Sequence, residues 1–375
     1  MALLLLLLLP LAAIVCVYFF FFLRRSFLTL GASASSTRTK IVTLSLSVLI
    51  GACCLFYQST AFVFVMYLFV FSLALTLLNL LVRSILRARG GALLKGWEHF
   101  YASGFLPFAL SCALVLSGLS TMLNVVPTYY TVRTEKPIRQ EGYRVALIAD
   151  VHFGVWATAE EIRAVCDQIE AQDIDLLVLC GDIVDESTPR EQLCEIFSVF
   201  GEVQSTYGTF YAYGNHDRPR RQAQDAEEVL SHAISSAGIC ILQDDGVRLS
   251  PDLLLFGRED RGFAGEEARM PIKDLLSDVG RDDFCIALDH QPCEYWENGE
   301  AGTDLLLSGH THGGQIWPLG LIQRLMGVND AIYGYTQIDS DSAAVVTSGL
   351  AAWNYKVKNA APAEYAVIDI FSTAE

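Results

Sequence analysis

The segment Leu305-Leu306-Leu307-Ser308-Gly309-His310-Thr311-His312-Gly313-Gly314-Gln315 contains the pattern around which the second part of this chain is organised. Its three leucines predict a short buried strand that ends at a glycine. Two histidines, one residue apart, then follow the carboxyl end of the strand. Neutral imidazole is the commonest side-chain metal ligand, and glycine lets a backbone approach an ion or a phosphate. The segment indicates a metal-binding turn, provided that acidic residues and further histidines join it from elsewhere.

Composition divides the chain into an apolar, basic part and an acidic part. The chain has 375 residues, 52% of them hydrophobic, and a net charge of −16. Residues 1–125 contain eight Lys or Arg and one acidic residue, whereas the remainder contains 18 basic and 41 acidic residues. We therefore expect a membrane anchor followed by a globular domain. So acidic a domain lacks the positive surface that nucleic acid binding needs, and nucleic acid is not an expected partner.

The anchor is predicted to consist of four transmembrane helices. A span needs roughly 20 consecutive apolar residues, and four segments meet this need: 2–23, 41–57, 61–82 and 102–126. The middle two are interpreted as a hairpin. A cleaved signal peptide is the alternative for the first segment, but no positive residues precede its apolar core. No Asp, Glu, Lys, Arg or His lies inside a predicted span, so anchoring is favoured over ion transport.

Basic residues orient the predicted spans. They cluster in two loops, which contain Arg24, Arg25, Arg38 and Lys40, and Arg83, Arg87, Arg89 and Lys95. The positive-inside rule places both loops in the cytoplasm. With four spans, the protein is a multi-pass membrane protein and the residues from about 127 onward are extracytoplasmic. The predicted domains are a membrane anchor over 1–126, a linker over 127–142 and a catalytic domain over 143–375.

From residue 143 onward, apolar strands alternate with amphipathic helices. Strands are predicted at 145–149, 175–180, 209–213, 239–242, 253–257, 284–288, 304–308, 343–347 and 364–371. Helices are predicted at 159–172, 189–205 and 225–237, the first of them opened by a capping box of Thr158 and Glu161. This alternation predicts an α/β domain, and the closer spacing of the later strands indicates a second sheet packed against the first.

Polar residues with metal-binding potential follow the predicted strands. The sequences are Asp150-Val151-His152, Gly181-Asp182, Gly214-Asn215-His216-Asp217, Asp289-His290 and His310-Thr311-His312. Five of the seven histidines lie in this set, while His99 and His232 are interpreted as ordinary residues. Ligands bind outside the carboxyl ends of strands in open α/β sheets. We therefore expect these loops to converge on one site.

This mixture of side chains suits two divalent metal ions. Two ions about 3.5–4 Å apart repel each other and need a bridging carboxylate, which Asp182 can supply. Nitrogen and oxygen ligands without a cysteine cluster suit Mn, Fe, Co, Ni or Zn. Such ions polarise a phosphoryl group and lower the pKa of a bridging water. The expected reaction is phosphoester hydrolysis by in-line attack of a bridging hydroxide.

In this order the motifs resemble those of the calcineurin-like metallophosphoesterase superfamily, over roughly residues 143–371. Gly-His-Thr-His-Gly-Gly-Gln behind membrane spans resembles the bacterial membrane-associated branch. The resemblance implies a two-sheet αββα sandwich with a dinuclear site at its edge. It assigns Asp150, His152 and His312 to one metal, Asn215, His290 and His310 to the other, and Asp182 to both. It also places His216 nearest the leaving group, with Asp217 orienting it and holding its proton.

The chain departs from the family pattern after Asp185, where many members have an arginine and this chain has Glu186. Arg218 is either a replacement phosphate ligand or a solvated loop charge. The loop Arg258-Glu259-Asp260 either borders the pocket or is a surface turn. For the segment Trp317–Leu321, packing in the core or in an ordinary loop is favoured over lipid contact.

These observations predict a membrane-anchored, metal-dependent phosphoester hydrolase. A lipid-linked phosphate or pyrophosphate is one candidate substrate, and a soluble phosphoester or phosphoprotein is the other. The alternative function is a catalytically inactive membrane sensor or scaffold with the same fold, which the presence of every expected ligand disfavours. The sequence specifies neither the oligomeric state nor the pairing of the cysteines, although Cys180 is expected to be a buried free thiol.

Overall fold

The structure, a computed structural model, describes residues 2–87, 91–154, 157–185, 188–218, 224–262 and 269–374. It divides into two units. The first comprises Met1–Ser120 with Asn354–Val357, and the second comprises Thr121–Trp353 with Lys358–Glu375.

The first unit is helical. Its helices are α1 (Ala2–Thr29), α2 (Thr37–Cys53), α3 (Thr60–Arg87), α4 (Ala92–Ser103) and α5 (Phe105–Met122). Among the described helices, three are long and apolar enough to cross a membrane, namely Leu7–Thr29, Thr60–Arg87 and Phe105–Met122. Arg89, part of the second predicted basic loop, lies outside the described residues.

The prediction of four spans is wrong at its second member. The segment predicted over 41–57 forms part of α2, a helix of 17 residues that Ser36 caps and that ends at Cys53. Its first turn, Thr37 to Lys40, is polar and charged. The apolar remainder is about 20 Å long at a rise of about 1.5 Å per residue, whereas the hydrocarbon core is about 30 Å thick.

The second unit contains two mixed sheets of six strands each. Its strands in chain order are β1 (Val125–Thr134), β2 (Tyr143–Ile148), β3 (Leu176–Cys180), β4 (Thr209–Ala212), β5 (Cys240–Ile241), β6 (Asp245–Ser250), β7 (Leu253–Gly257), β8 (Phe284–Leu288), β9 (Leu305–Ser308), β10 (Gly334–Gln337), β11 (Ala343–Val346) and β12 (Ala363–Ser372). Sheet 1 has the order β1-β12-β2-β3-β4-β5, and sheet 2 has the order β10-β11-β9-β8-β7-β6.

Helices cover the outer faces of both sheets. They are α6 (Ala159–Glu170), α7 (Arg190–Gly201), α8 (Gln224–Ser236), α9 (Ile272–Leu275) and α10 (Tyr295–Ala301). One further helix, α11 (Leu319–Met326), has no buried residue. Side chains alternate across each strand. Leu147 accordingly joins the core between the sheets, with Leu255 and Leu307, whereas Ile148 packs with α6–α8. The two-sheet α/β fold with outer helices confirms the predicted sandwich.

The predicted linker over 127–142 is incorrect in its first half. Val125–Thr134 forms β1, which pairs in parallel with β12 along its whole length. The signal was present, because this segment is rich in Val, Thr and Tyr, which favour strands. Pro127 is tolerated because β1 is an edge strand.

Most other predicted elements are confirmed within a few residues. The predicted capping box of α6 is formed, since Thr158 Oγ1 accepts the Glu161 N–H at 3.2 Å and the Glu161 carboxylate accepts the Thr158 N–H at 2.8 Å. The strands β1, β6 and β10 and the helices α9–α11 were not predicted. Most of them are short or exposed and leave little hydrophobic periodicity in the sequence.

Candidate metal centre

Parallel strand pairs bring the predicted motifs to one edge of each sheet. β2, β3 and β4 are parallel neighbours in sheet 1, and β8 and β9 are parallel neighbours in sheet 2. Backbone hydrogen bonds continue into the loops beyond the strands. Val151 N–H donates to the Asp182 carbonyl at 2.9 Å, and Gly309 N–H donates to the His290 carbonyl at 3.0 Å. The loops that carry the motifs are therefore fixed against one another.

One group of potential ligands comprises Asp150, His152 and His312, all buried and with ligand atoms within 4.8 Å of one another. Nε2 of His312 lies 3.6 Å from Asp150 Oδ1. Its Nδ1 lies 3.1 Å from the Ala351 carbonyl, which accepts a proton only from an Nδ1–H tautomer. That tautomer leaves the Nε2 lone pair directed at the group, as in metal-ligating histidines.

A second group comprises Asp182, His290 and His310, again with ligand atoms within 4.8 Å of one another. His290 repeats the arrangement of His312, because its Nδ1 lies 2.8 Å from the Cys180 carbonyl while its Nε2 faces Asp182 Oδ2 at 3.1 Å. The same oxygen of Asp182 lies 3.9 Å from His152 Nε2. Asp182 therefore lies between the two groups, as a bridging carboxylate must.

Two further atoms support metal binding. Asn215 is buried, and its Oδ1 has no hydrogen-bond partner among the described residues; the same is true of His152 Nε2. Buried polar atoms are almost always hydrogen-bonded, so such atoms call for an explanation, and a bound ion is one. The donor set of carboxylate, imidazole and amide is chemically suited to divalent transition metals.

The electrostatics of the site favour added positive charge. Burial raises the pKa of Asp150 to about 6. Burial acts to raise the pKa of Asp182, but the charges of His290, His152 and His216, together with a hydrogen bond from His290, outweigh burial and keep this pKa well below its usual range. Burial lowers the pKa of His310 to about 4, so this imidazole is neutral and able to bind metal near pH 7. Burial acts to lower the pKa of His290, yet Asp182 raises it well above its ordinary value.

Backbone strain is concentrated at the predicted ligands. Five of them have φ in the left-handed region, namely Asp150 (52°), His152 (45°), Asp182 (53°), His310 (71°) and His312 (49°). Non-glycine residues rarely adopt this conformation, which costs on the order of 1–3 kcal/mol each. Such strain collects at functional sites because the surrounding structure enforces it.

His216 lies at the border of the site and is not fully buried. Its backbone N–H donates to Asp182 Oδ1 at 2.7 Å, and its ring centroid lies 5.3 Å from that of His152 and 5.0 Å from that of Trp353. Gln315 holds Trp353 in place, accepting its N–H at 3.0 Å and donating to its carbonyl at 2.9 Å. The sequence motif included Gln315, but neither its contacts with Trp353 nor the place of Trp353 at the site was predicted.

Asp217 braces the loops of the site. Its carboxylate accepts the backbone N–H groups of Gly214 at 2.6 Å, Asp182 at 2.9 Å and Val184 at 3.1 Å. These bonds tie the loop after β4 to the loop after β3, which is a role that the sequence did not reveal. The orientation of the His216 ring by Asp217 stays a prediction.

Neither charged loop is the solvated turn that the sequence allowed. Arg218 is buried, pairs with Glu259 at 3.0 Å and stacks over the Tyr213 ring at 3.9 Å. Arg258 is buried as well and pairs with Asp289, the neighbour of His290, at 3.2 Å. Glu186 lies outside the described residues. Its neighbour Asp185 lies 3.4 Å from His152 Nδ1, a contact that the Gly-Asp-x-x-Asp spacing could have suggested.

The segment after Gln315 differs from its prediction. Packing in the core or in an ordinary loop was favoured for Trp317–Leu321, but Trp317 is 49% exposed and Leu321 is 58% exposed. The helix that follows, α11, has no buried residue. The sequence pattern could not distinguish a buried segment from an exposed one, since an apolar run has the same pattern whether or not other residues pack over it.

The fold and the site together define a two-sheet α/β protein with clustered metal ligands, and comparison with known proteins specifies the family. Residues 143–314 match the family model for calcineurin-like phosphoesterase. An uncharacterized metallophosphoesterase of Campylobacter jejuni is 27% identical over 70% of this chain and 67% of its own length. One of Helicobacter pylori is 27% identical over 60% of this chain, which spans about three fifths (59%) of that relative. Residues 143–314 are thus similar to a calcineurin-like phosphoesterase domain, and the curated relatives are similar over a longer part of the chain.

Relatives with membrane segments also match. A transmembrane protein with metallophosphoesterase domain from Danio rerio is 25% identical over 80% of this chain and 68% of its own length. The membrane designation belongs to that relative; in this chain, three of the described helices are long and apolar enough to cross a membrane. Among solved structures, a dimetal phosphatase from Danio rerio is similar at a TM-score of 0.39, with 13% identity over 56% of this chain and 88% of its own.

Proposed function

We propose that this protein is a membrane-anchored phosphoester hydrolase with a dinuclear metal centre. The observation that carries the proposal is the division of six buried or nearly buried ligands into two compact groups, with Asp182 Oδ2 between them. When bound, two divalent cations would polarise the phosphoryl oxygens and lower the pKa of a water between them. Asp150, His152 and His312 would hold one cation, Asn215, His290 and His310 would hold the other, and Asp182 would contact both.

The chain's own residues would supply orientation and proton transfer. The Nδ1 contacts of His290 and His312 with backbone carbonyls fix the tautomer that presents Nε2 to the site. His216 is the residue best placed to donate a proton to the leaving oxygen, because it lies at the border of both groups and has its backbone fixed by Asp182. Trp353 packs against the His216 ring and limits its positions.

A lipid-linked phosphate or pyrophosphate is the proposed substrate class. The support is the attachment of the domain to apolar helices, since a site held near a bilayer meets lipid headgroups at high local concentration. We also propose that the protein is most similar in function to the bacterial membrane-associated enzymes of this superfamily. The relatives above include a vertebrate transmembrane protein as well as bacterial ones.

Hydrolysis assays on the purified full-length protein, combined with metal analysis, test this function. We expect metal-dependent hydrolysis of an aryl phosphate and of phosphatidic acid in mixed micelles, with activity lost after chelation and restored by Mn²⁺ or Zn²⁺. His310→Ala should lower bound metal and reduce turnover by more than about 100-fold. The matched control is His232→Ala, on the exposed face of α8, which should change neither.

Two results would contradict the proposal. Full turnover by the metal-stripped protein, or by the His310→Ala variant, would exclude a metal-dependent mechanism. Metal binding without turnover of any phosphoester would instead support the sensor or scaffold function.

A further inference from the structure

An exposed apolar surface follows the metal-binding turn directly. It consists of Trp317, Leu321, Ile322, Leu325, Met326 and Val328, here named the α11 surface. Their exposed fractions run from 44% for Ile322 to 79% for Leu325. Contiguous apolar surface of this kind marks contact with a membrane, a ligand or another protein.

The position of the α11 surface favours the membrane. Trp317 N–H donates to Asn359 Oδ1 at 2.8 Å, and four residues further on Ala363 pairs with Val125 of β1. Four residues span at most about 14 Å, so Trp317 lies within about 25 Å of Val125. Val125 in turn follows α5, a candidate membrane span, after only Leu123 and Asn124. The α11 surface is therefore close to the point where the chain would leave the bilayer.

The chemistry of the α11 surface also matches a bilayer interface. Residues 317–328 contain no acidic residue and a single cation, Arg324, in a part of the chain that is otherwise strongly acidic. Trp317 and the exposed rings of Tyr333 and Tyr335 border the same cavity. Helices that lie in the headgroup region combine an apolar face, aromatic side chains and cations in this way.

This cavity lies between the α11 surface and the metal-binding turn. It has a volume of about 810 Å³ and is lined by Gly313, Trp317, Leu321, Arg324 and Tyr333, among others. That volume is in the range of ligand pockets. Gly313 follows His312 directly, so the cavity reaches the turn that carries a predicted ligand, although none of the predicted ligands lines it.

We propose that the α11 surface inserts into the headgroup–acyl boundary of the membrane and presents lipid phosphates to the metal centre. Its role in substrate delivery rests on the proposed function, whereas its contact with lipid does not. The occupant is lipid rather than a partner protein because apolar helices of this chain already bring it to a bilayer, and the α11 surface lies within about 25 Å of Val125, which follows one of them closely in sequence.

Photolabelling of the full-length protein tests the contact with lipid. The protein is reconstituted in phosphatidylcholine vesicles that contain a phosphatidylcholine with a diazirine on its acyl chain, and labelled peptides are identified by mass spectrometry. We expect label on residues 317–328 in addition to α1, α3 and α5. Label confined to those three helices would overturn the proposal, even if a partner protein covers the α11 surface instead.

A charged variant makes the test specific. Leu325→Glu with Met326→Glu should lower label on 317–328 at least fivefold and slow hydrolysis of phosphatidic acid in vesicles about tenfold, and bound metal reports correct folding. Leu325→Gln is the milder variant if the double variant does not fold. The matched control is Trp296→Glu, at a site that is 68% exposed on α10, which should leave the labelling unchanged.

The remaining outcomes are also decisive. Unchanged labelling of 317–328 in the double variant would show that the label does not report insertion, and would overturn the proposal. Labelling needs no turnover, so a labelled but inactive protein would contradict the proposed function alone. An active protein without label on 317–328 would contradict only the membrane contact.

Discussion

At the scale of single residues, the site depends on a glycine whose surroundings leave no room for a Cβ atom. A Cβ on Gly309 would lie 2.6 Å from both the Ala149 Cβ and Asp150 Oδ2. Gly309 also precedes His310, whose N–H donates to both Asp150 oxygens at 3.1 and 2.9 Å. The glycine therefore allows the loop after β9 to lie directly against a ligand from the loop after β2.

Substitution of Gly309 by alanine should displace the Asp150 carboxylate. We expect Gly309→Ala to lower bound metal and to reduce turnover about 100-fold, since misplacement by about 1 Å has an effect of that order. Metal analysis and aryl phosphate hydrolysis measure the two effects. Gly96→Ala is the matched control, because a Cβ there meets nothing within 4 Å. Equal activity of both variants would argue against this constraint on Asp150.

The residue types of the site could be predicted from the sequence, but their environment could not. The spacing Asp-x-His, Gly-Asp and His-x-His at strand ends identified side chains that the structure does bring together. The role of Asp217 depends on amides from two distant loops, so no local pattern encodes it. The exposure of the residues after Gln315 depends on what packs above them, which is a tertiary property.

At the scale of elements, the loop between β11 and β12 is organised by one buried lysine. Lys358 Nζ donates to the carbonyls of Gly349 at 2.7 Å and Ala351 at 3.3 Å, and also to that of Ser348. The Ala351 carbonyl is also the acceptor for His312 Nδ1. Burial lowers the pKa of Lys358 to about 7, although the charges of Asp150 and Glu364 act to raise it. Lys358 is thus a positioning residue for His312.

Removal of this ammonium group should loosen the loop. Lys358→Met leaves the buried Ser348 carbonyl without a donor, at about 1–3 kcal/mol, and removes one of two donors from the carbonyls of Gly349 and Ala351. We expect a loss of about 3 kcal/mol of stability, or a fall in Tm of roughly 6–12 °C, with weaker metal binding. Thermal unfolding and metal titration measure these changes. Lys356→Met, at an exposed position, is the control, and an unchanged metal affinity of Lys358→Met would contradict the positioning role.

At the scale of the whole molecule, the number of spans decides the side of the membrane. With four spans, three crossings follow the first basic loop and the catalytic unit lies outside the cytoplasm. With α2 excluded, only α3 and α5 follow that loop, and the two basic loops then lie on opposite sides of the membrane, so the positive-inside rule cannot place both in the cytoplasm. The side on which the catalytic unit lies therefore depends on which basic loop is cytoplasmic. A cytoplasmic first loop would place the unit in the cytoplasm, and a cytoplasmic second loop would place it outside.

Labelling of cysteines in intact cells tests this placement. Cys194 and Cys240 are exposed in the catalytic unit. A membrane-impermeant maleimide that leaves both unlabelled in intact cells, and labels both after the cells are permeabilised, would place the catalytic unit in the cytoplasm. Labelling of either residue without permeabilisation would place the catalytic unit outside, as the four-span prediction had it.

The strand order of sheet 1 has a consequence for biosynthesis. β12 lies between β1 and β2, so it alone joins the strand that follows the membrane helices to the rest of the sheet. Ribosomes add about 5–20 residues per second, and about 220 residues separate the start of β2 from the start of β12. For roughly 10–40 s of translation, the edge of β2 that will pair with β12 has no partner strand. The apolar helices are already available for membrane insertion during this time. A nascent chain in this state presents an unpaired strand edge to chaperones and to other chains, and only synthesis of the last strand closes it.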